Sequence, residues 1–161
     1  GIEPDDSPYS IPNFVVEFAH APATTPVMWW RSVYASTNMF GHESFIDELA
    51  HAVGKDPLEF RLELLAKANP APNSTGARFQ AVLTLLKEKA KWSEKLPQGK
   101  GRGVAVARSF ESIAAHAVTV GRGADGKMRV EKVVTVLDCG MHVNTDTVLA
   151  QTEGKIGRAH V

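Results

Sequence analysis

One cysteine, Cys139, is the only thiol in this 161-residue chain. That excludes an internal disulfide, and it leaves no zinc site or iron–sulfur cluster built from cysteines, since both need several ligands. Long apolar runs are missing as well. None approaches the roughly 20 residues that cross a bilayer, and no basic-then-apolar leader opens the chain. Neither charge is in excess, because 18 Lys and Arg face 18 Asp and Glu. No long-range field gathers nucleic acid or an anionic membrane, so a nucleic-acid partner is not expected. Internal repeats and low-complexity tracts are absent. What is present is ordinary for a globular domain: 43% hydrophobic residues, in a length sufficient for one core.

The residues from Gly1 to Pro12 are rich in Pro, Asp and Ser and read as an irregular lead-in. Phe14–Phe18 has the composition of a short strand. Ala21–Pro26 is a loop, and Pro26 favours an extended approach into Val27-Met28-Trp29-Trp30, read as a buried edge. From Gly41 the spacing of Phe45, Ile46, Leu49, Ala50 and Val53 predicts a helix, with Gly54 as its C-cap. Asp56-Pro57 predicts the start of a second helix, because Asp accepts free amides and Pro suits the first helical position. After a linker over 69–74, Ala77–Ala90 reads as a third helix with Phe79, Val82, Leu83, Leu86 and Ala90 inward. Gly103–Ala107, Ile113–Val120 and Met128–Leu137 are β-rich, and Ala124-Asp125-Gly126 signals a hairpin between the last two. Asn144–Gly154 reads as a turn into a helix. Strand and loop, three helices, then an antiparallel hairpin or meander is an α+β order.

Several segments carry a family resemblance. They are Tyr9-Ser10-Ile11-Pro12-Asn13, Trp29-Trp30-Arg31-Ser32-Val33 with Glu43-Ser44-Phe45-Ile46-Asp47-Glu48-Leu49, and Gly54-Lys55-Asp56-Pro57-Leu58-Glu59-Phe60-Arg61. Further on come Gly101–Ala107, Val130–Val134, Asp138–Asn144 and Asp146–Gly154. In this order they resemble the molybdopterin-binding large subunits of the xanthine dehydrogenase and aldehyde oxidase family, nearest to isoquinoline oxidoreductase beta subunits and related aldehyde dehydrogenase large subunits. The resemblance implies a piece of a molybdopterin-binding domain in an enzyme that oxidises aldehydes or hydroxylates N-heterocycles with water-derived oxygen. It implies molybdopterin cytosine dinucleotide as cofactor and iron–sulfur clusters on a small partner subunit. The other implied partners are the remainder of the large subunit and a cytochrome c electron acceptor, in a periplasmic or membrane-associated setting. Arg31 matches an arginine whose loop abuts the molybdenum centre, and Gln151 matches a glutamine that hydrogen-bonds the cofactor there. Guanidinium and amide donors suit a centre that presents acceptors.

The chain departs from the family pattern in two ways. It has no Gly-Glu-Pro-type motif to supply the family's glutamate base, and no glycine-rich cofactor segment. No catalytic residue is therefore assigned, and activity from this chain alone is not expected. The tail Ile156-Gly157-Arg158-Ala159-His160-Val161 is the in-frame reading of ATC GGA AGA GCA CAC GTC, a common sequencing adapter. The expectation is thus an interior, metagenomic fragment over 1–155, followed by adapter translation over 156–161.

Read on the residues alone, these positions have ordinary explanations. Arg31 is an arginine snorkelling beside two tryptophans, with a cation–π contact. Trp29 and Trp30 are core aromatics. Gln151 is a surface amide and Cys139 a small buried apolar residue. The six histidines are scattered without zinc-motif spacing, so no metal site is expected from them. A stand-alone, non-catalytic interaction or scaffold domain remains the rival to the enzyme reading.

Overall fold

The computed structural model describes residues 7–26, 28, 31–68 and 70–158, the last three as backbone. Helices α1 (Ala35–Ala52), α2 (Pro57–Lys67) and α3 (Thr75–Lys89) precede an antiparallel meander of β1 (Lys100–Ser109), β2 (Ser112–Arg122) and β3 (Met128–Asp138). Helix α4 (Thr145–Arg158) follows. The architecture is α+β, as the sequence order predicts.

Side-chain alternation decides which sheet face is buried. Val104 and Val106 of β1 and Ile113, Ala115 and Ala117 of β2 face the helices, with Val134 and Val136 of β3 packed beside them. Helix α3 lies on this face through Phe79, Val82, Leu83 and Leu86. Leu58, Leu64 and Leu65 of α2 and Ile46 of α1 close the core. The inward residues predicted for α3 are all buried.

The helix boundaries follow local chemistry. Gly54 adopts φ +66, and its N–H reaches the His51 carbonyl while Lys55 N–H reaches that of Ala50. This pair of bonds satisfies the last carbonyls of α1. Asp56 then caps α2, its Oδ1 accepting from Leu58 N at 2.9 Å and Glu59 N at 3.0 Å. Ser74 and Asn144 accept from Ala77 N and Thr147 N at the starts of α3 and α4. Gly126, at φ +78, sits in the β2–β3 turn where the sequence places it.

Three expectations need correction. Phe14–Phe18 forms no strand: the segment is irregular, and Val15 and Phe18 are 76% and 79% exposed. Its β-prone composition finds no edge to pair with among the described residues. The buried edge over 27–30 fails at Met28, which is 88% exposed; Val27, Trp29 and Trp30 lie outside the described residues. Helix α1 begins at Ala35 rather than Gly41. Its first turn, Ser36-Thr37-Asn38, carries no apolar stripe to reveal it. The Ser36 and Thr37 hydroxyls bond back to the Val33 and Tyr34 carbonyls at 2.8 and 3.3 Å.

Candidate functional site

Residues far apart in sequence meet in a buried ion network. Arg61 is fully buried on α2, and every nitrogen of its guanidinium is engaged. Nε donates to Glu43 Oε2 at 2.9 Å, Nη1 to Asp47 Oδ1 at 2.6 Å and to the Pro57 carbonyl at 2.9 Å, and Nη2 to the Glu43 carbonyl at 2.9 Å. Glu43 and Asp47 stand four residues apart on α1, hence on one helix face. Glu43 also accepts from the Tyr9 hydroxyl and from Val106 N–H of β1, each at 2.9 Å. Burial works to raise the Glu43 carboxyl, but the facing His42 ring, Arg61 and the Val106 amide outweigh it and hold it below its ordinary value. Burial, then the Glu43 carboxylate, push the Tyr9 phenol up, so it stays a donor.

Tyr9 belongs to a strap over residues 7–11 that crosses α1 and α2. Its ring stacks on His42 with centroids 5.6 Å apart, Ser7 Oγ lies 3.2 Å from His42 Nε2, and Ser10 N–H bonds the Leu64 carbonyl. His42 Nδ1 approaches Glu43 Oε1 to 3.4 Å, but too obliquely for a hydrogen bond.

Beside this network a cleft of about 590 Å³ opens between α1 and the sheet, a volume ordinary for a small-molecule site. Met39 and Phe40 of α1 form one wall; Ala105, Ala107 and Ala114 of the second sheet face form the floor. Glu43 and Asp47 also line it, but both are committed to Arg61. His116 stands in the floor with Nδ1 2.8 Å from Thr135 Oγ1. Burial, then the Lys155 cation, hold its imidazole below the ordinary value.

Arg31 lies at the cleft's rim, and its Nη1 donates to Gln151 Oε1 of α4 at 3.4 Å, a long hydrogen bond between residues 120 positions apart. The two residues singled out from the sequence are thus brought together. Just after Arg31, Ser32 and Val33 take φ +67 and +46. A β-branched residue held in the left-handed region costs about 1–3 kcal/mol, and such strain concentrates at functional loops.

The cation–π contact seen among the described residues joins Arg102 to Trp92, 5.1 Å from the ring centroid. Trp29 and Trp30, the rings that precede Arg31 in the sequence, lie outside the described residues. Cys139 is half-buried rather than buried, because β3 ends there at an exposed turn. Beside it, Arg78 of α3 pairs with Asp138 at 2.8 Å, and that hydrogen bond holds the Asp138 carboxyl below its usual range. Among the described residues no group of three or more His, Cys, Asp or Glu is placed to hold a metal ion, and no helix is long and apolar enough to cross a membrane.

The buried network was not foreseen from sequence, although its members stand in the quoted segments. Their signals are two carboxylates at a helical spacing of four, and an arginine set directly between Phe60 and Leu62. His116 had a fainter one, as the lone imidazole in an alternating strand.

No family model matches the chain, and no solved structure matches it. Among curated proteins, it is 36% identical over 139 residues to the membrane-bound aldehyde dehydrogenase (pyrroloquinoline-quinone) of Gluconacetobacter polyoxogenes, covering 78% of this chain and 18% of that protein. It is 34% identical over 172 aligned positions to a subunit of the nicotinate dehydrogenase of Pseudomonas putida, covering 91% and 14%. It is 26% identical over 153 positions to the beta subunit of the isoquinoline 1-oxidoreductase of Brevundimonas diminuta, covering 92% and 18%. The chain thus spans less than a fifth of the length of each relative. All three are named as dehydrogenases or oxidoreductases, and two as subunits. With most of its length aligned to these enzymes, the chain belongs to the xanthine dehydrogenase and aldehyde oxidase family of molybdopterin-binding large subunits.

Proposed function

We propose that this chain forms one wall of the molybdenum site of an oxidoreductase large subunit, with Arg31 and Gln151 contacting the cofactor. The observation that carries this reading is the Arg31–Gln151 contact at the rim of the 590 Å³ cleft. With Gln151 Oε1 accepting from Arg31, the amide NH2 and the remaining guanidinium N–H groups are the pair's donors, which suits a group rich in acceptor oxygens. The charge balance agrees. Glu43 and Asp47 share the single cation Arg61, and the one negative charge left over is outweighed by Arg31 and Lys155, which have no carboxylate partner among the described residues, so the cleft is net cationic.

When bound, the cofactor supplies the redox chemistry for oxidising an aldehyde or hydroxylating an N-heterocycle; the protein binds, orients and shields it. Arg31 would neutralise charge, Gln151 would donate through its amide, and Met39 with the alanine floor would present apolar surface to the group. Both carboxylates in the cleft are locked on Arg61, so neither is available to accept a proton from substrate. The catalytic base is assigned to a glutamate elsewhere in the large subunit. By the same reading the cofactor would be the cytosine dinucleotide form, the partners would be a small iron–sulfur subunit and a cytochrome c that accept the electrons, and the setting would be periplasmic or membrane-associated.

Metal analysis of the full-length protein that contains this chain is the test. Stoichiometric molybdenum with release of a cytosine nucleotide on acid treatment is expected, with occupancy lowered in Arg31→Met and Gln151→Leu variants. Since one relative's name carries pyrroloquinoline quinone, a molybdenum-free protein loaded with quinone is the result that sinks the reading.

A further inference from the structure

We propose that His116 is a ligand-contacting, specificity-determining residue: it presents Nε2–H from the cleft floor to an acceptor atom of the bound small molecule. The proposal rests on the cleft being the substrate side of the site described above.

His116 pairs with Ala105 of β1 and Thr135 of β3, so these three form a row across one sheet face. The next row is Ala107, Ala114 and Leu137. Within these two rows the imidazole and Thr135 are the hydrogen-bonding side chains, and the next polar row, Ser109 and Ser112, lies beyond the alanines. Ala105, Ala107 and Ala114 are small, which leaves room beside the ring for a flat ligand.

The tautomer follows from Thr135. Its hydroxyl lies 2.8 Å from His116 Nδ1 and has no other hydrogen-bond partner among the described residues. A half-buried hydroxyl that donates to Nδ1 is satisfied within the fold; one that only accepts leaves its own proton without a protein partner. Thr135 therefore donates to Nδ1, and the ring proton sits on Nε2. Lys155 from α4 stands near enough to disfavour a second positive charge, an effect that adds to burial. The other charged groups lining the cleft are Arg31 and Arg108, and the Arg61-bound Glu43 and Asp47. Arg108 is held by the Phe110 carbonyl and Glu111. No carboxylate is left to stabilise an imidazolium, so the ring acts as a neutral donor. The ligand it reads carries a ring nitrogen or a carbonyl oxygen where an equally shaped hydrocarbon carries C–H.

Isoquinoline and naphthalene have one shape and differ in that acceptor, so the test compares their binding to the full-length protein by equilibrium titration. Wild type is expected to prefer isoquinoline by about 2- to 10-fold, the value of one hydrogen bond. His116→Phe should abolish the preference while keeping naphthalene affinity. His116→Gln, which retains a donor, should keep part of it, and Thr135→Val should weaken it by freeing the tautomer. An unchanged preference in His116→Phe, equal affinities in wild type, or no binding of either compound overturns the proposal. Molybdenum content of the same preparations separates the two readings. A metal-free protein that still discriminates upholds His116 and sinks the cofactor assignment, whereas a molybdenum-loaded protein that does not discriminate sinks only His116.

Discussion

A guanidinium taken wholly out of water is tolerable only when every donor is met and its charge is balanced. Arg61 satisfies both conditions through Glu43, Asp47 and two carbonyls. Arg61→Met therefore strands a buried carboxylate and should cost about 3–5 kcal/mol in urea denaturation. Tyr9→Phe, which removes one hydrogen bond from Glu43, should cost about 1–2 kcal/mol. The same groups set the acid response. Glu43 is held below its ordinary value in the folded state, so its contribution is complete above about pH 4.3 and is lost as pH falls through the depressed folded value. His116 is likewise depressed, and its contribution is complete above about pH 6.5 and declines below it. Stability measured against pH should fall in two stages, the first flattened by His116→Gln and the second by Glu43→Gln. A single stage unaffected by either substitution would contradict these assignments.

At the level of elements, joints matter more than interiors. A Cβ at Gly54 would meet no atom within 4 Å, so Gly54→Ala has no steric clash, only the left-handed backbone penalty of about 1 kcal/mol. Asp56 carries more, since its carboxylate caps α2 and also receives Trp92 Nε1 at 2.9–3.0 Å. Asp56→Ala should cost about 2 kcal/mol or slightly more, against about 1 for an ordinary cap; calorimetry of the two variants checks the order. These joints were legible because their chemistry is local. Gly54, Asp56-Pro57 and the Ala124-Asp125-Gly126 turn announce themselves within a few residues, as does the stripe of α3. The β1–β2 turn was not announced, because Phe110 adopts φ +52 without a glycine or asparagine to mark it. Phe14–Phe18 misled for the opposite reason, since strand composition is local but a pairing edge is not. Arg31 and Gln151 were named through family resemblance, and nothing in either local sequence indicates that α4 returns to the start of α1. Their contact is a product of the whole chain path.

Over the whole molecule, the three-stranded sheet has one face under the helices and another that floors the cleft. Large apolar side chains stand in water around its rim, among them Phe40 at 80% and Phe110 at 75% exposure. Clusters of this kind favour association. The 161-residue chain purified by itself is expected to show an apparent mass that rises with concentration in light scattering, and a Phe40→Ser, Phe110→Ser double variant should reduce that rise. Concentration-independent monomers of the unaltered chain would show that the rim is benign.

The Tyr9–Glu43–Arg61–Val106 junction also bears on how such subunits can be recombined. A crossover between 10 and 42 takes Tyr9 from one parent and Glu43 from the other; one between 48 and 60 divides Glu43 and Asp47 from Arg61. Chimeras cut there inherit a charge from one source and its counter-charge from another, and they keep a folded core only if both parents place the same groups at the seam. The turn over 123–127 lies outside the junction altogether, and the hydrogen bonds described for it run among Arg122, Gly123, Asp125, Gly126, Lys127 and Arg129. A domain exchange joined at that hairpin passes the buried charges on intact, which makes the hairpin the natural suture for building hybrid enzymes of this family.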